Sequence, residues 1–288
     1  MPGKGGDLTV YQPETMGDLL NLVSRHPDAV IWAGGTYLML AQRNRRLKYS
    51  GRVILLKRVE DLQKISRTER YIDIGACATI DEIVQTGHAV LPTIFIEALG
   101  TIGPKSIRGT ATLGGNICVQ DRTMTLFPVL QLLDASFEIK KQGSTRWVSP
   151  AKIRGHNKLD GLTDGEILTR IRIPFKEWNY IHFDTFGSAY VFESNPLVFS
   201  GLARSSRGIL DDFRFSLSTS KTGIVRRKDL ETELVGQRIP LTQREIVTFI
   251  NRTEGNLLSI AEKLNNFQRE RGKRLLKQFL ENIGSGNI

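Results

Sequence analysis

Apolar residues in this chain come in short bursts separated by turn residues, not in long periodic runs. Behind Pro13-Glu14-Thr15, Leu19, Leu20 and Val23 recur at helical spacing, and Pro27 closes that segment. Residues 29–33 (AVIWA) predict a short buried strand, which stops at Gly34-Gly35-Thr36. A second helical stretch is predicted over 37–43, and the aliphatic run 53–56 predicts another strand. Further on, residues 71–76 predict a strand. Thr79 and Glu82 have the spacing of a capping box, opening a helix that carries Ile83 and Val84. A helix is predicted over 93–99, a Gly-rich stretch spans 100–116, and a helix or buried segment covers 126–133. A strand follows over 136–140. Residues 166–174 alternate and end at Pro174, the pattern of an edge strand. Strands are then predicted over 183–192, 197–203 and 213–218, with Gly208 in a turn. A second capping box at Thr242 and Glu245 precedes a long helix or helix pair, with Leu257, Ala261, Leu264, Leu275, Phe279 and Ile283 on its apolar side. Elements in this order predict an α+β fold, not one doubly wound sheet. They separate into blocks 1–56, 57–176 and 177–288.

Composition narrows the classes. The chain has 288 residues, 40% hydrophobic and 24% charged, as soluble globular proteins do. At that length one large core or two to three small ones would fit. No run of about 18 uncharged apolar residues occurs, so no membrane helix is expected. The first ten residues lack a secretory apolar core, and the expected compartment is the cytoplasm. Two cysteines, Cys77 and Cys118, exclude a disulfide framework and a cysteine-ligated zinc or iron–sulfur site of the four-ligand kind. The four histidines show no HxxxH spacing, so no transition-metal site is expected.

The formal charge of +10 invites an anionic partner. Its two concentrations are Arg43-Asn44-Arg45-Arg46-Leu47-Lys48, extended by Arg52, Lys57 and Arg58, and the segment 263–277. Aromatics do not interleave with the first run. Solvated charge is the favoured reading, a docking surface comes next, and nucleic acid stands last. Asp160, Asp164 and Glu166 read better as solvated loop charges than as an acid–base pair or a calcium site. Cys118 reads better as a small buried residue than as a redox thiol, since no resolving cysteine lies near it in sequence.

Two glycine-rich turns carry the chemistry. The first, Ala33-Gly34-Gly35-Thr36-Tyr37-Leu38, lies between a predicted strand and helix. The second, Ala111-Thr112-Leu113-Gly114-Gly115-Asn116, precedes apolar residues. Glycine admits positive φ and close backbone approach, and successive amides at a helix start form an anion nest. Two such nests suit a diphosphate. A tight loop is the plainer explanation of either turn alone. Neither is a P-loop, and neither is the GxGxxG fingerprint of dinucleotide folds.

Together the turns and their surroundings resemble the FAD-binding medium subunit of the molybdenum hydroxylases, the xanthine dehydrogenase and carbon monoxide dehydrogenase family. The resemblance rests on Ala33-Gly34-Gly35-Thr36, on Ile74-Gly75-Ala76 with Thr79 and Glu82, and on Ile107-Arg108 followed by Ala111-Thr112-Leu113-Gly114-Gly115-Asn116-Ile117. Gly165-Glu166-Ile167-Leu168 with Ile171, Ile173 and Pro174 extends it. It implies a two-part FAD-binding domain of the vanillyl-alcohol-oxidase type followed by a smaller α/β C-terminal domain. It implies FAD held at Ala33, Gly34, Gly35, Thr36, Tyr37 and Leu38 and at Thr112, Gly114, Gly115 and Asn116. Ile102, Gly103, Ile107 and Leu168 would line the flavin or adenine, although Ile107 and Leu168 read equally well as core. Implied partners are a large molybdenum-cofactor subunit and a small [2Fe–2S] subunit, with electrons passing from the clusters through FAD to an acceptor. Three positions depart from the pattern. Tyr37 and Thr125 stand where the family carries Asp, and Phe183-Asp184-Thr185 lacks the family's flavin-side Lys. A structural subunit with degenerate flavin function is the alternative these departures suggest.

Overall fold

The structure is a computed structural model, described for residues 8–41, 51–119, 125–153, 161–187, 196–221, 223–260 and 264–285. Its first elements are β1 (Leu8–Tyr11), α1 (Met16–Arg25), β2 (Val30–Trp32), α2 (Thr36–Ala41) and β3 (Gly51–Leu55). The strands form a parallel sheet in the order β1-β3-β2. Thr15 starts α1 by accepting the Asp18 amide at 3.1 Å, and the apolar stripe of α1 buries Leu19 and Val23. They pack with Ile54, Leu56 and Leu62. The buried strand expected over 29–33 is shorter and more open: β2 covers three residues at a sheet edge, and Ile31 is 37% exposed. The helix expected over 37–43 begins at Thr36, and residues 42 and 43 lie outside the described residues.

Next come β4 (Ile65–Arg67), β5 (Tyr71–Gly75), α3 (Ile80–Thr86), α4 (Thr93–Gly100), α5 (Lys105–Arg108), α6 (Leu113–Ile117), α7 (Leu126–Leu132), β6 (Ser136–Lys141), β7 (Ser144–Val148), α8 (Pro150–Ile153) and β8 (Ile167–Pro174). The strands form an antiparallel sheet ordered β4-β5-β8-β6-β7. The capping box expected at Thr79 and Glu82 is present. The edge strand expected over 166–174 is instead the centre of this sheet. Pro174 misled because it occupies the last position, paired with Tyr71, where no further ladder bond is lost. The alternating polar residues do not face open solvent. Arg172 is bidentate to Asp73 at 2.8 Å and lies over the rings of Tyr71 and Trp147, at 3.7 and 4.3 Å. The opposite face meets the largest core, built from Ile72, Ile74, Phe137, Ile171 and Ile173 with α4 and α7. Each of these side chains contributes roughly 1.5–3 kcal/mol by leaving water.

The remaining elements are β9 (Tyr180–Phe186), β10 (Leu197–Ser206), β11 (Ile209–Thr219), β12 (Gly223–Val225), α9 (Lys228–Glu233), α10 (Gln243–Ile260) and α11 (Asn266–Asn282). A third sheet has the order β12-β11-β10-β9. One face packs on α10 and α11 through Phe199, Phe213, Phe215, Phe249 and Phe279. The chain of contacts is close: Gly201 faces the Phe279 ring, which a Cβ there would meet at 2.6 Å. Its other face meets α7. Arg214 and Arg226 each donate to a carbonyl at the end of that helix, Leu132 and Gln131, both at 2.6 Å. Two guanidinium groups thus bond carbonyls at the negative end of the helix dipole. Of the expected C-terminal stripe, Leu264, Leu275, Phe279 and Ile283 are buried, while Ala261 lies outside the described residues. The predicted strand over 183–192 is described only to Phe186, and residues 188–192 are outside the described set. No helix among the described residues is long and apolar enough to cross a membrane.

Candidate cofactor site

The two glycine-rich turns meet through their backbones. A Cβ on Gly34 would sit 2.0 Å from the Thr110 carbonyl oxygen, so only glycine lets the first turn lie against the approach to the second. Gly35 has φ +70°, and a Cβ there would reach the Trp32 ring at 2.5 Å. Turning at Gly35 brings the chain into α2. No acceptor is found among the described residues for the amides of Gly34, Gly35 and Thr36. Three consecutive donors at a helix start suit an anion. Tyr37 and Leu38 form the first turn of α2, both half-buried.

The second turn is built differently from the expected nest. The Leu113 amide donates to the Ala78 carbonyl at 3.1 Å, and the Gly114 amide to Ala76 at 2.7 Å. The Gly115 amide donates to Thr112 Oγ1 at 3.1 Å and the Asn116 amide to the Thr112 carbonyl at 3.0 Å. These four donors are spent inside the fold, because residues 110–114 lie along 76–80, with Thr79 bridged to Thr112. Gly114 serves close packing: a Cβ would meet Ala76 at 2.7 Å. What the turn leaves available is the Asn116 side chain, whose Oδ1 is buried without a partner.

A hook over residues 102–111 joins the turns. Gly103 has φ +46°, and a Cβ there would touch Ile107 at 2.9 Å. Ile107 is 41% exposed, so core packing does not account for it. Ile102 is half-buried against the main core. Leu168 is different: it is 4% exposed, lies on β8 opposite Ile139, and belongs to the core. Its neighbour Thr169 accepts the Ala76 amide at 3.0 Å, which places Leu168 directly behind the second turn. Thr125 begins α7 with no hydrogen bond from its side chain to the helix. From Ile102 to Asn116 the chain carries Lys105 and Arg108 and no carboxylate. The glycine signal found both turns; it did not show that Thr110 and Ala76 lie against them.

These features fit a dinucleotide: free amides in the first turn, an unpartnered carboxamide oxygen at the second, and a cationic hook between. The comparisons with known proteins agree. The family described as the FAD binding domain in molybdopterin dehydrogenase matches residues 6–176. The chain belongs to this family. FAD is therefore the cofactor its fold is built for. Among curated relatives, xanthine dehydrogenase 1 of Arabidopsis thaliana is 28% identical over 186 residues, 60% of this chain and 13% of that protein. The xanthine dehydrogenase FAD-binding subunit of Escherichia coli O157:H7 is 26% identical over 170 residues, 57% of this chain and 56% of that subunit. The chain thus spans about one-eighth of the long relatives and about half of the short one. Solved structures share the fold over almost the full length. Quinoline 2-oxidoreductase from Pseudomonas putida 86 gives a TM-score of 0.81 at 20% identity, covering 98% of this chain and 99% of that one. Reconstituted CO dehydrogenase from Oligotropha carboxidovorans gives 0.79 at 19%, covering 96% and 97%. The expected α+β class holds.

The other candidates resolve into structural roles. Glu166 is no solvated charge: Arg146 grips both its oxygens at 2.7 and 2.8 Å, and that hydrogen bonding pulls its carboxyl down to about 2. Asp164 is exposed, and Asp160 is outside the described residues. Burial pushes the Cys77 thiol up to about 12, so it is inert near neutral pH. The basic run 43–48 lies outside the described residues, but Arg52 and Arg58 pair with Asp28 and Glu14. On the C-terminal helix Arg271, Lys273 and Lys277 pair with Asp184, Glu270 and Glu281. Arg271 also lies over Phe186, on the face of β9 that carries Asp184. Thr185 points to the opposite face, so Arg271 does not replace the missing cation there.

Proposed function

We propose that this chain is the FAD-binding electron-transfer subunit of a heteromeric molybdenum hydroxylase, working with a large molybdenum-cofactor subunit and a small [2Fe–2S] subunit. The single observation that carries the reading is the pair of turns joined at Gly34 and Thr110, with unpaired amides at Gly34, Gly35 and Thr36 in the first and a buried, unpartnered Asn116 Oδ1 in the second. Residues 1–56 and 57–176 would form the two parts of the FAD domain, and 177–288 a C-terminal domain. Gly34, Gly35 and Thr36 would hold the diphosphate, with Ala33, Tyr37 and Leu38 shaping that turn. Asn116 would supply a polar contact that Thr112, Gly114 and Gly115 hold in place. Ile102, Gly103 and Ile107 would cover one side, Thr125 would flank the site, and Leu168 would support it from the core. Bound FAD supplies the capacity to take electrons from a one-electron carrier and release them to an acceptor. The protein's part is to fix the cofactor and exclude water; no side chain of this chain oxidises substrate.

Reduction of the assembled complex by its substrate tests the reading. The flavin absorbance should bleach after the cluster signal appears, and complex stripped of FAD should still reduce its clusters while transfer to the acceptor stops. A rival reading, a structural subunit with degenerate flavin function, draws on Thr185 in place of a cation and on the spent amides of the second turn. It requires acceptor reduction to be indifferent to FAD removal.

A further inference from the structure

Arg108, one of two cations in the hook, has no counter-ion among the described residues. Arg108 ends α5, and its Nη1 donates to the Gly103 carbonyl at 2.6 Å and reaches the Ile102 carbonyl at 3.4 Å. No carboxylate among the described residues pairs with it, and its Nε is buried without an acceptor. A half-buried guanidinium without an anion is expensive, because its desolvation is not offset by an opposite charge. The carbonyls it holds are not arbitrary. They follow α4, whose last carbonyls, at Ala98 and Leu99, are already taken by the amides of Thr101 and Ile102. Gly103 then turns with positive φ against Ile107. The Ile107 carbonyl in turn accepts the amides of Thr110 and Ala111, at 3.0 and 2.8 Å. The Thr110 carbonyl is the group pressed against Gly34 of the first turn, and Ala111 accepts the Ile80 amide at 2.9 Å. From Arg108 to the first turn the chain of contacts is therefore continuous.

We propose that Arg108 is a positioning residue of the FAD site: it locks the hook 102–111 onto the first turn and supplies the positive charge that the cofactor's diphosphate neutralises. This rests on the reading of the two turns as the FAD site. No direct bond from Arg108 to the cofactor is required; its charge acts through a site with no acid between Ile102 and Asn116.

The test uses the full chain, freed of flavin and titrated with FAD, following flavin fluorescence. Arg108→Gln keeps a donor for the Gly103 carbonyl and removes the charge. It should raise the Kd for FAD about tenfold and flatten its dependence on salt. The melting temperature of the flavin-free chain should stay within about 2 °C of wild type. Arg108→Lys restores the charge and should return the Kd to within about threefold of wild type. Arg108→Gln binding FAD as tightly as wild type at low salt overturns the proposal. So does Arg108→Lys binding as weakly as Arg108→Gln, since the charge would then have no part. If Arg108→Gln melts well below wild type, the comparison of Arg108→Lys with wild type decides alone: a Kd within threefold upholds the charge, and a larger rise overturns it. A wild-type chain that binds no FAD contradicts the FAD-site reading itself, a result distinct from both.

Discussion

Replacing Gly34 by alanine adds one methyl group at the seam between the two turns. That carbon would lie 2.0 Å from the Thr110 oxygen and 2.9 Å from its carbonyl carbon, where ordinary contact begins at 3.4 Å. The seam must therefore open by roughly 1.4 Å, since backbone cannot rotate aside as a long side chain can. Thr110 is held from behind by the Ile107 carbonyl, which accepts its amide, so the first turn has to give. Overpacking of this kind costs about 1–3 kcal/mol. In a chain of this size that lowers the melting temperature by roughly 2–8 °C. Opening the seam also shifts the first turn relative to the second, and FAD affinity should fall by about tenfold or more. Differential scanning fluorimetry of the flavin-free chain and fluorescence titration with FAD measure the two effects. Gly100→Ala is the matched control: nothing lies within 4 Å of its Cβ position, and its backbone is helical. That control should leave the FAD affinity unchanged. Gly34→Ala protein with wild-type melting and wild-type FAD affinity would refute the packing of the two turns.

Two other variants probe the third sheet. His182 is held below its usual range mainly by burial; Asp184 opposes that shift and Arg271 adds to it. A depressed histidine stabilises the fold fully above the unfolded value of about 6.5, and the stability is lost as pH falls through the folded value. His182→Phe, which keeps the ring contacts to Phe199 and Phe279, should flatten the fall in melting temperature between about pH 7.5 and 5; an unchanged slope would show that other groups govern it. Arg226→Met leaves Glu231, only 5% exposed, without its guanidinium, and should destabilise by about 3–5 kcal/mol. Adding Glu231→Leu should recover part of that in urea melts, with no recovery counting against a charge-driven loss.

Local chemistry made much of this fold readable. Thr79 with Glu82 and Thr242 with Glu245 close reciprocal hydrogen bonds at the starts of α3 and α10, as their three-residue spacing predicts. One glycine of each pair, Gly34 and Gly114, stands at a joint where backbone meets backbone. What stayed hidden depends on contacts far apart in the chain. The place of β8 at the centre of its sheet is set by Asp73 and Glu138 on its neighbours, which no local pattern at 166–174 records. Strand β7 is exposed along most of its length and carries no apolar alternation; it exists because it pairs with β6 across Gly143. In the second turn the glycine pair suggested free amides, yet Gly114 is there to let α6 touch Ala76. A glycine chosen for a ligand and one chosen for packing look alike in sequence. Arg108 was legible only as part of the motif that carries the resemblance; the role proposed for it depends on the carbonyls at 102 and 103 folding back onto it.

The central claim is that the amides of the first turn hold the diphosphate of FAD. Competition binding on the flavin-free chain tests it most directly, with FAD displaced by ADP and, separately, by riboflavin. The account predicts one FAD per chain, displaced by ADP and indifferent to riboflavin, because the diphosphate carries the anchoring charge. Displacement by riboflavin with no effect of ADP would contradict it.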